Sequence, residues 1–128
     1  MRDIVISIRN DLVAEAVIRS LAESGDFRPF KLLFSRENEV VNECKVLTPE
    51  LLLSEVAFGT HTDLKTRLTE AKEIRECVPN CKIVFLCDEN SSPDLAREVM
   101  QAKKDGLIDN FFYSSVGTRY LVAALTAL

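Results

Sequence analysis

Few side chains in this 128-residue sequence have the type and spacing that chemistry requires. The candidates for metal or nucleophilic work are four cysteines (Cys44, Cys77, Cys81 and Cys87) and a single histidine, His61. Cys77-Val78-Pro79-Asn80-Cys81 brings two thiols close together, but a structural zinc site needs four convergent ligands and no second close pair accompanies it. The expectation is no metal, no cofactor and four free thiols, mostly buried as small hydrophobes in a reducing compartment. Cys87 precedes Asp88 and Glu89, whose charges disfavour a thiolate, so it is read as a small strand-end residue. His61, in Gly59-Thr60-His61-Thr62, has no partner that would make a triad and is expected to be exposed. Ile8-Arg9-Asn10-Asp11-Leu12 contains no glycine, so no G-x-G-x-x-G or P-loop follows the first apolar run. What remains is Arg9, Asp11, Glu55, Cys87, Asp88 and Tyr113, without a recognisable nucleophile–base pair.

The elements that must position these residues alternate along the chain. Ile4-Val5-Ile6-Ser7-Ile8 is rich in Val and Ile and reads as a strand buried on both faces. Asn10 is placed to cap a helix with Val13, Ala16, Val17 and Leu21 on its apolar stripe, and Gly25 to stop it. A second strand is expected over Phe30–Phe34, a short helix over Glu37–Val46, and a third strand over Glu50–Val56 after Pro49. Thr62 is taken as the cap of a longer helix with Leu64, Leu68, Ala71, Ile74 and Val78 on its stripe, ended by Pro79. Lys82–Cys87 is a buried strand. Ser92-Pro93-Asp94 then starts a helix with Leu95, Val99 and Ala102 inward, and Gly106 follows it. Leu107–Tyr113 reads as a fifth strand. Ser115 is the expected cap of a last helix carrying Leu121, Leu125 and Leu128.

Five strand-then-helix units imply a doubly wound parallel sheet with helices on both faces, one domain over residues 1–128. In such a sheet, sites lie outside the carboxyl ends of the strands. The site is therefore expected among Ile8–Asp11, Glu55–Thr60, Cys87–Asn90 and Tyr113–Ser115. A hydrophobic content of 47% can supply a core and a charged fraction of 28% a surface. No apolar run approaches the roughly 20 residues that span a bilayer, and no secretory segment opens the chain, so a cytoplasmic location is expected. A net charge of -4 without a Lys/Arg cluster argues against direct nucleic-acid binding.

The order and spacing of the units resemble the receiver domain of two-component response regulators, over essentially the whole chain. The stretches that carry the resemblance are Pro49-Glu50-Leu51-Leu52-Leu53-Ser54-Glu55, similar to the segment bearing the phosphoacceptor aspartate, and Ala102-Lys103-Lys104-Asp105-Gly106-Leu107-Ile108-Asp109-Asn110-Phe111-Phe112, similar to the approach to the fifth strand. The resemblance implies a flavodoxin-like sheet of order 2-1-3-4-5. It also implies a pocket in which an acidic pair holds Mg²⁺, an aspartate accepts phosphate, and a Thr/Ser and a Lys bind the phosphoryl oxygens.

At those positions this chain carries Ile8 and Arg9, Glu55, Cys87 and Tyr113, and no lysine occurs anywhere from Gly106 to Leu128. Phosphoryl transfer depends on positioning and charge neutralisation, so these losses together imply a pseudo-receiver that is not phosphorylated and is not an enzyme. Arg9 and Glu55 are expected to form an ion pair in place of the metal and phosphate, or else to be solvated separately. The resemblance places signal output on the face of the fourth helix, fifth strand and fifth helix. Asn110 stands there at the family's aromatic position, with Phe112, Tyr120 and Val122 as further interface candidates. The expected partner is another protein, a downstream domain of a longer chain (suggested by the apolar end at Leu128) or a second copy. The competing reading is a small-molecule or nucleotide-binding α/β module using the same strand-end crevice.

Overall fold

The computed structural model describes residues 1–32, 39–59 and 61–128. Its elements follow in the order β1 (Arg2–Ser7), α1 (Asp11–Ser24), β2 (Phe27–Lys31), α2 (Glu39–Leu47), β3 (Leu51–Val56), α3 (Leu64–Cys77), β4 (Lys82–Cys87), α4 (Leu95–Lys104), β5 (Asn110–Tyr113) and α5 (Thr118–Thr126). All strands pair in parallel, in the order β2-β1-β3-β4-β5. This is the doubly wound sheet that the alternation of apolar runs implies.

Strict alternation along each strand divides the core into two layers. Val5, Leu52, Ile83, Phe85 and Cys87 face α2, α3 and α4, and pack on Val41, Ala71, Ile74 and Val99. Ile4, Ile6, Leu51, Leu53, Val84 and Leu86 face the opposite side, against Ala14, Val17 and Leu21 of α1 and Leu121 and Leu125 of α5. Every residue of β3 is buried because helices cover both faces of a central strand. Arg2 ties the far end together: its guanidinium donates to the carbonyl oxygens of Leu125, Thr126 and Leu128. It thereby supplies a positive charge at the α5 C-terminus, whose last turn contains no basic residue.

Several boundaries differ from the sequence expectation, each for a local reason. Gly25 takes the left-handed conformation at φ 76°, and its N–H bonds back to Ala22 O. The chain therefore turns at once into β2, three residues earlier than Phe30–Phe34 suggests. Pro29 lies inside β2, which is tolerable because β2 is an edge strand and leaves one side unpaired. Leu33, Phe34 and the expected helix start at Glu37 lie outside the described residues, as does Thr60.

In α1 the inward alanine is Ala14, and Ala16 is exposed. The cap of α3 is Asp63, which accepts from Thr66 N–H at 3.1 Å, whereas Thr62 is buried and donates to Ala57 O. Ser92 and Pro93 stand in the turn before α4, with Ser92 Oγ accepting from Asp94 N–H. The strand expected over Leu107–Tyr113 shortens to Asn110–Tyr113. The cap of α5 is Gly117, and Ser115 is exposed and outside the helix.

The one cap placed correctly on a side chain is Asn10, whose Oδ1 accepts from Leu12 N–H at 3.1 Å and Val13 N–H at 3.4 Å. Asn10→Ala should therefore cost about 1 kcal/mol, while Ser115→Ala should change stability by less than about 0.5 kcal/mol. Urea unfolding midpoints of the two variants check this, and equal effects would show that the caps are assigned wrongly.

Candidate functional site

The strand ends meet around a residue that the sequence reading passed over. Arg67, on the second turn of α3, is 1% exposed, the largest of the fully buried side chains. Its guanidinium is spread over both central strands. Nε donates to Glu55 O at 2.8 Å, Nη2 to Ser7 O at 2.9 Å, and Nη1 to Ser7 Oγ at 3.0 Å and Glu70 Oε1 at 3.2 Å. One planar group thus holds the last carbonyl of β1 and the penultimate carbonyl of β3 against α3, in the forked geometry only arginine offers.

Space for it comes from two small residues. Ser7 and Ser54 are register partners in β1 and β3, and by alternation both lie on the α3 side of the sheet. Valine or leucine there would fill the volume that the arginine occupies. Burial has an electrostatic cost for both partners. It lowers the Arg67 pKa from its ordinary value, opposed by the charges of Glu70, Glu55 and Asp63. Burial likewise raises Glu70, opposed by Arg67 and more weakly by His61. Each ion is stabilised by the other, and Arg67 also by the sheet carbonyls, which is the condition for a buried pair to persist.

The polar groups expected at the strand ends gather around this clamp. Glu55 is 9% exposed, and its Oε1 accepts the main-chain N–H of Arg9 at 2.8 Å. The contact expected between these residues is therefore made through the Arg9 backbone, and the buried guanidinium beside Glu55 belongs to Arg67, not Arg9. The Arg9 side chain is exposed and approaches Gly59 of the β3–α3 loop: a Cβ on Gly59 would stand 3.6 Å from Arg9 Nη1 and 3.3 Å from Thr62 Oγ1. With φ at 142°, Gly59 also holds a backbone conformation that a side chain disfavours.

Ile8 is buried in the α1 layer. Asp11 is exposed, 3.2 Å from Lys31 Nζ. Cys87 is fully buried, and desolvation first, then Glu89 and Asp88, push its thiol up to about 11. Asp88 closes its own turn through Asn90 N–H and Ser91 Oγ, and Ser91 Oγ accepts Phe58 N–H from the facing loop. Tyr113 is half-buried, edge-on to Phe111 at 5.7 Å. Ser114 donates both N–H and Oγ–H to Cys87 O, which ties the end of β5 to β4. His61 is half-buried with a left-handed backbone at φ 70°, contrary to the expected exposed position.

Mg²⁺ requires converging hard oxygen donors. On the β1 side the residues in place are apolar Ile8 and cationic Arg9, Glu55 is bonded to a main-chain N–H, and Asp88 is spent in its turn. These residues do not fit the ion, and among the described residues no three His, Cys, Asp or Glu side chains gather as a metal site. The Cys77–Cys81 pair does not converge either, since Cys77 is exposed while Cys81 is buried.

Of the interface candidates, Phe112 and Val122 are buried in the α1–α5 layer and are core residues. Tyr120 is 63% exposed and Asn110 half-buried, its Oδ1 accepting Phe111 N–H. Arg67 did leave a signal in the sequence. Positions 64, 67, 71, 74 and 78 continue the inward stripe of α3, and a cation on such a stripe has to find acceptors.

No family model and no curated protein matches this sequence. Solved structures do match. The signal receiver domain of the response regulator NarL from Mycobacterium tuberculosis superposes with a TM-score of 0.74 at 14% identity, over 98% of this chain and 94% of that one. A response regulator from Desulfuromonas acetoxidans gives 0.70 at 18%, over 99% and 95%. The CheY-like protein tadZ from Pseudomonas aeruginosa gives 0.69 at 13%, over 99% and 92%. The fold is that of response-regulator receiver domains. No helix of the described residues is long and apolar enough to cross a membrane.

The clamp makes a quantitative prediction. Arg67→Met strands the Glu70 carboxylate and two strand-end carbonyls and should cost about 3–5 kcal/mol. Removing the acid as well, in Arg67→Met/Glu70→Leu, should recover a large part of that loss. Denaturant unfolding of the three proteins checks it. A single variant near wild type, or a double variant that loses the sum of both changes, would contradict the clamp.

Proposed function

We propose that this chain is a receiver-like regulatory domain that takes no phosphoryl group and acts by contact with another protein, not by catalysis. The observation that carries the proposal is the Arg67 clamp beside Glu55. In a phosphorylated receiver, a divalent cation and a lysine neutralise the charge that arrives on the aspartate at the end of the third strand. Here a permanent carboxylate, Glu55, already occupies that strand end. Its Oε1 accepts the Arg9 N–H, and the Arg67 guanidinium bonds to its main-chain carbonyl, contacts that no phosphatase removes.

The neighbouring positions support the same reading. Cys87 has only a weakly acidic thiol at the family's Thr/Ser position, and Tyr113 and Ser114 replace the lysine-proline pair. Glu55 is a natural imitation of a charged state, held permanently. State would then be set by which partner is bound, through the face of α4, β5 and α5. On that face Tyr120 stands exposed and edge-on to Phe112 at 6.3 Å, and Lys103 lies 5.9 Å from the Phe111 ring centre. The partner is a second protein, a downstream domain or a second copy of the chain.

Amide NMR spectra recorded on addition of Mg²⁺ and then beryllofluoride test this directly. The resonances of Arg9, Glu55, Cys87 and Tyr113 should not move. Saturable shifts that propagate to Asn110–Tyr113 would establish phosphorylation-type switching and overturn the proposal.

A further inference from the structure

A cleft between α3 and α4 is lined by none of Arg9, Glu55, Cys87, Tyr113 or Tyr120. It encloses about 680 Å³, a volume typical of small-molecule sites. Its floor is apolar. Leu64 and Leu68 lie one turn apart on α3, and Leu107, 47% exposed, closes the cleft from the turn after α4.

The charges on its rim restrict what can lie on that floor. Arg75 is already committed, with Nη2 on Asp109 Oδ2 at 3.0 Å and Nε on Leu107 O at 3.2 Å. Lys65 and Lys72 are seven residues apart and so share one face of α3, two turns from each other. Among the described residues neither forms an ion pair, and the same holds for Glu76 and Glu98, which complete the rim. Two cations and two acids leave the rim without net charge. A nucleotide or other polyanion would press its further charges against Glu76 and Glu98. Lys65 and Lys72 lie on the same helix as Leu64 and Leu68, so a single anionic group held at the lysines leaves the carbon attached to it along Leu64, Leu68 and Leu107.

We infer that this cleft binds a small amphipathic acid, a monocarboxylate with an alkyl or aromatic body. The body replaces water on the leucine floor, where each buried methylene contributes roughly the usual apolar transfer gain. The carboxylate sits between the ammonium groups of Lys65 and Lys72. The wall it touches is a flank of α3, the helix whose buried residues include Arg67 and Glu70. Occupancy therefore bears on the element that clamps β1 and β3.

The test uses the full ¹⁵N-labelled chain titrated with dodecanoate below its micellar concentration, with dodecyltrimethylammonium as the charge-reversed probe. Dodecanoate should give saturable shifts at Leu64, Leu68 and Leu107, and the cationic amphiphile should not reproduce them. The joint variant Lys65→Gln/Lys72→Gln, both exposed sites, should keep the wild-type circular dichroism spectrum and bind dodecanoate about tenfold more weakly. Absence of saturable shifts at the three leucines, an equal response to the cation, or unchanged affinity in the joint variant would each overturn the inference. None of these readouts involves the residues probed by beryllofluoride, so this inference and the proposal for the strand-end pocket can fail separately.

Discussion

A guanidinium held away from water between two β-strands and a helix is the constraint around which the strand ends of this protein are built. Taking an arginine out of solvent costs several kcal/mol unless its donors are met by acceptors of good geometry. Here the acceptors are the main-chain carbonyls of Ser7 and Glu55 near the ends of β1 and β3, the Ser7 hydroxyl and the Glu70 carboxylate. The consequences spread outward from that group. Ser7 and Ser54 must be small, Glu70 must accompany Arg67 on the same helical face, and α3 must sit in one register against the sheet. Glu55 has Arg67 as a charged neighbour and accepts the Arg9 main-chain N–H.

The clamp also gives the residues at the strand ends a common structural logic. A cation that arrives with a ligand can leave with it; a cation that is part of a helix cannot. Arg67 is bonded to Ser7, Glu55 and Glu70 from within the fold. Ile8 packs into the core and Arg9 turns its side chain towards Gly59. The β3–α3 and β4–α4 loops are joined by Ser91 through Phe58 N–H, and the end of β5 is joined to β4 by Ser114. The rim is thus cross-linked by neutral hydrogen bonds.

Much of the scaffold was legible because apolar periodicity survives at the centre of a parallel sheet. Lys82–Cys87 forms a strand over the residues expected, and Leu95, Val99 and Ala102 are the buried positions of α4. The sheet order, β2-β1-β3-β4-β5, is the one that the resemblance to receiver domains implied. Legibility failed where local chemistry overrides pattern. The turn at Gly25 starts β2 early and admits Pro29, a residue that argues against a strand except at an edge. At the last helix, Gly117 rather than Ser115 occupies the cap position.

The site failed to read out for a different reason. Arg67 interrupts an apolar stripe, and a charge in such a stripe is ordinarily assigned to the surface. Its acceptors on the strands lie 12 and 60 residues away in sequence, where no local pattern links them. The two serines that make room for it were visible in strands otherwise rich in Val, Ile and Leu, but only the register of β1 against β3 shows that they are neighbours.

The most direct test of the clamp is proton exchange at the Arg67 side chain, followed by ¹⁵N-resolved NMR of the guanidinium groups. A buried Nε–H bonded to Glu55 O should give a separate signal that exchanges far more slowly than that of exposed Arg119 and keeps its position when Mg²⁺ is added. An Arg67 Nε–H that exchanges as fast as Arg119 would mean that the guanidinium is solvated and that the strand ends are held by something else.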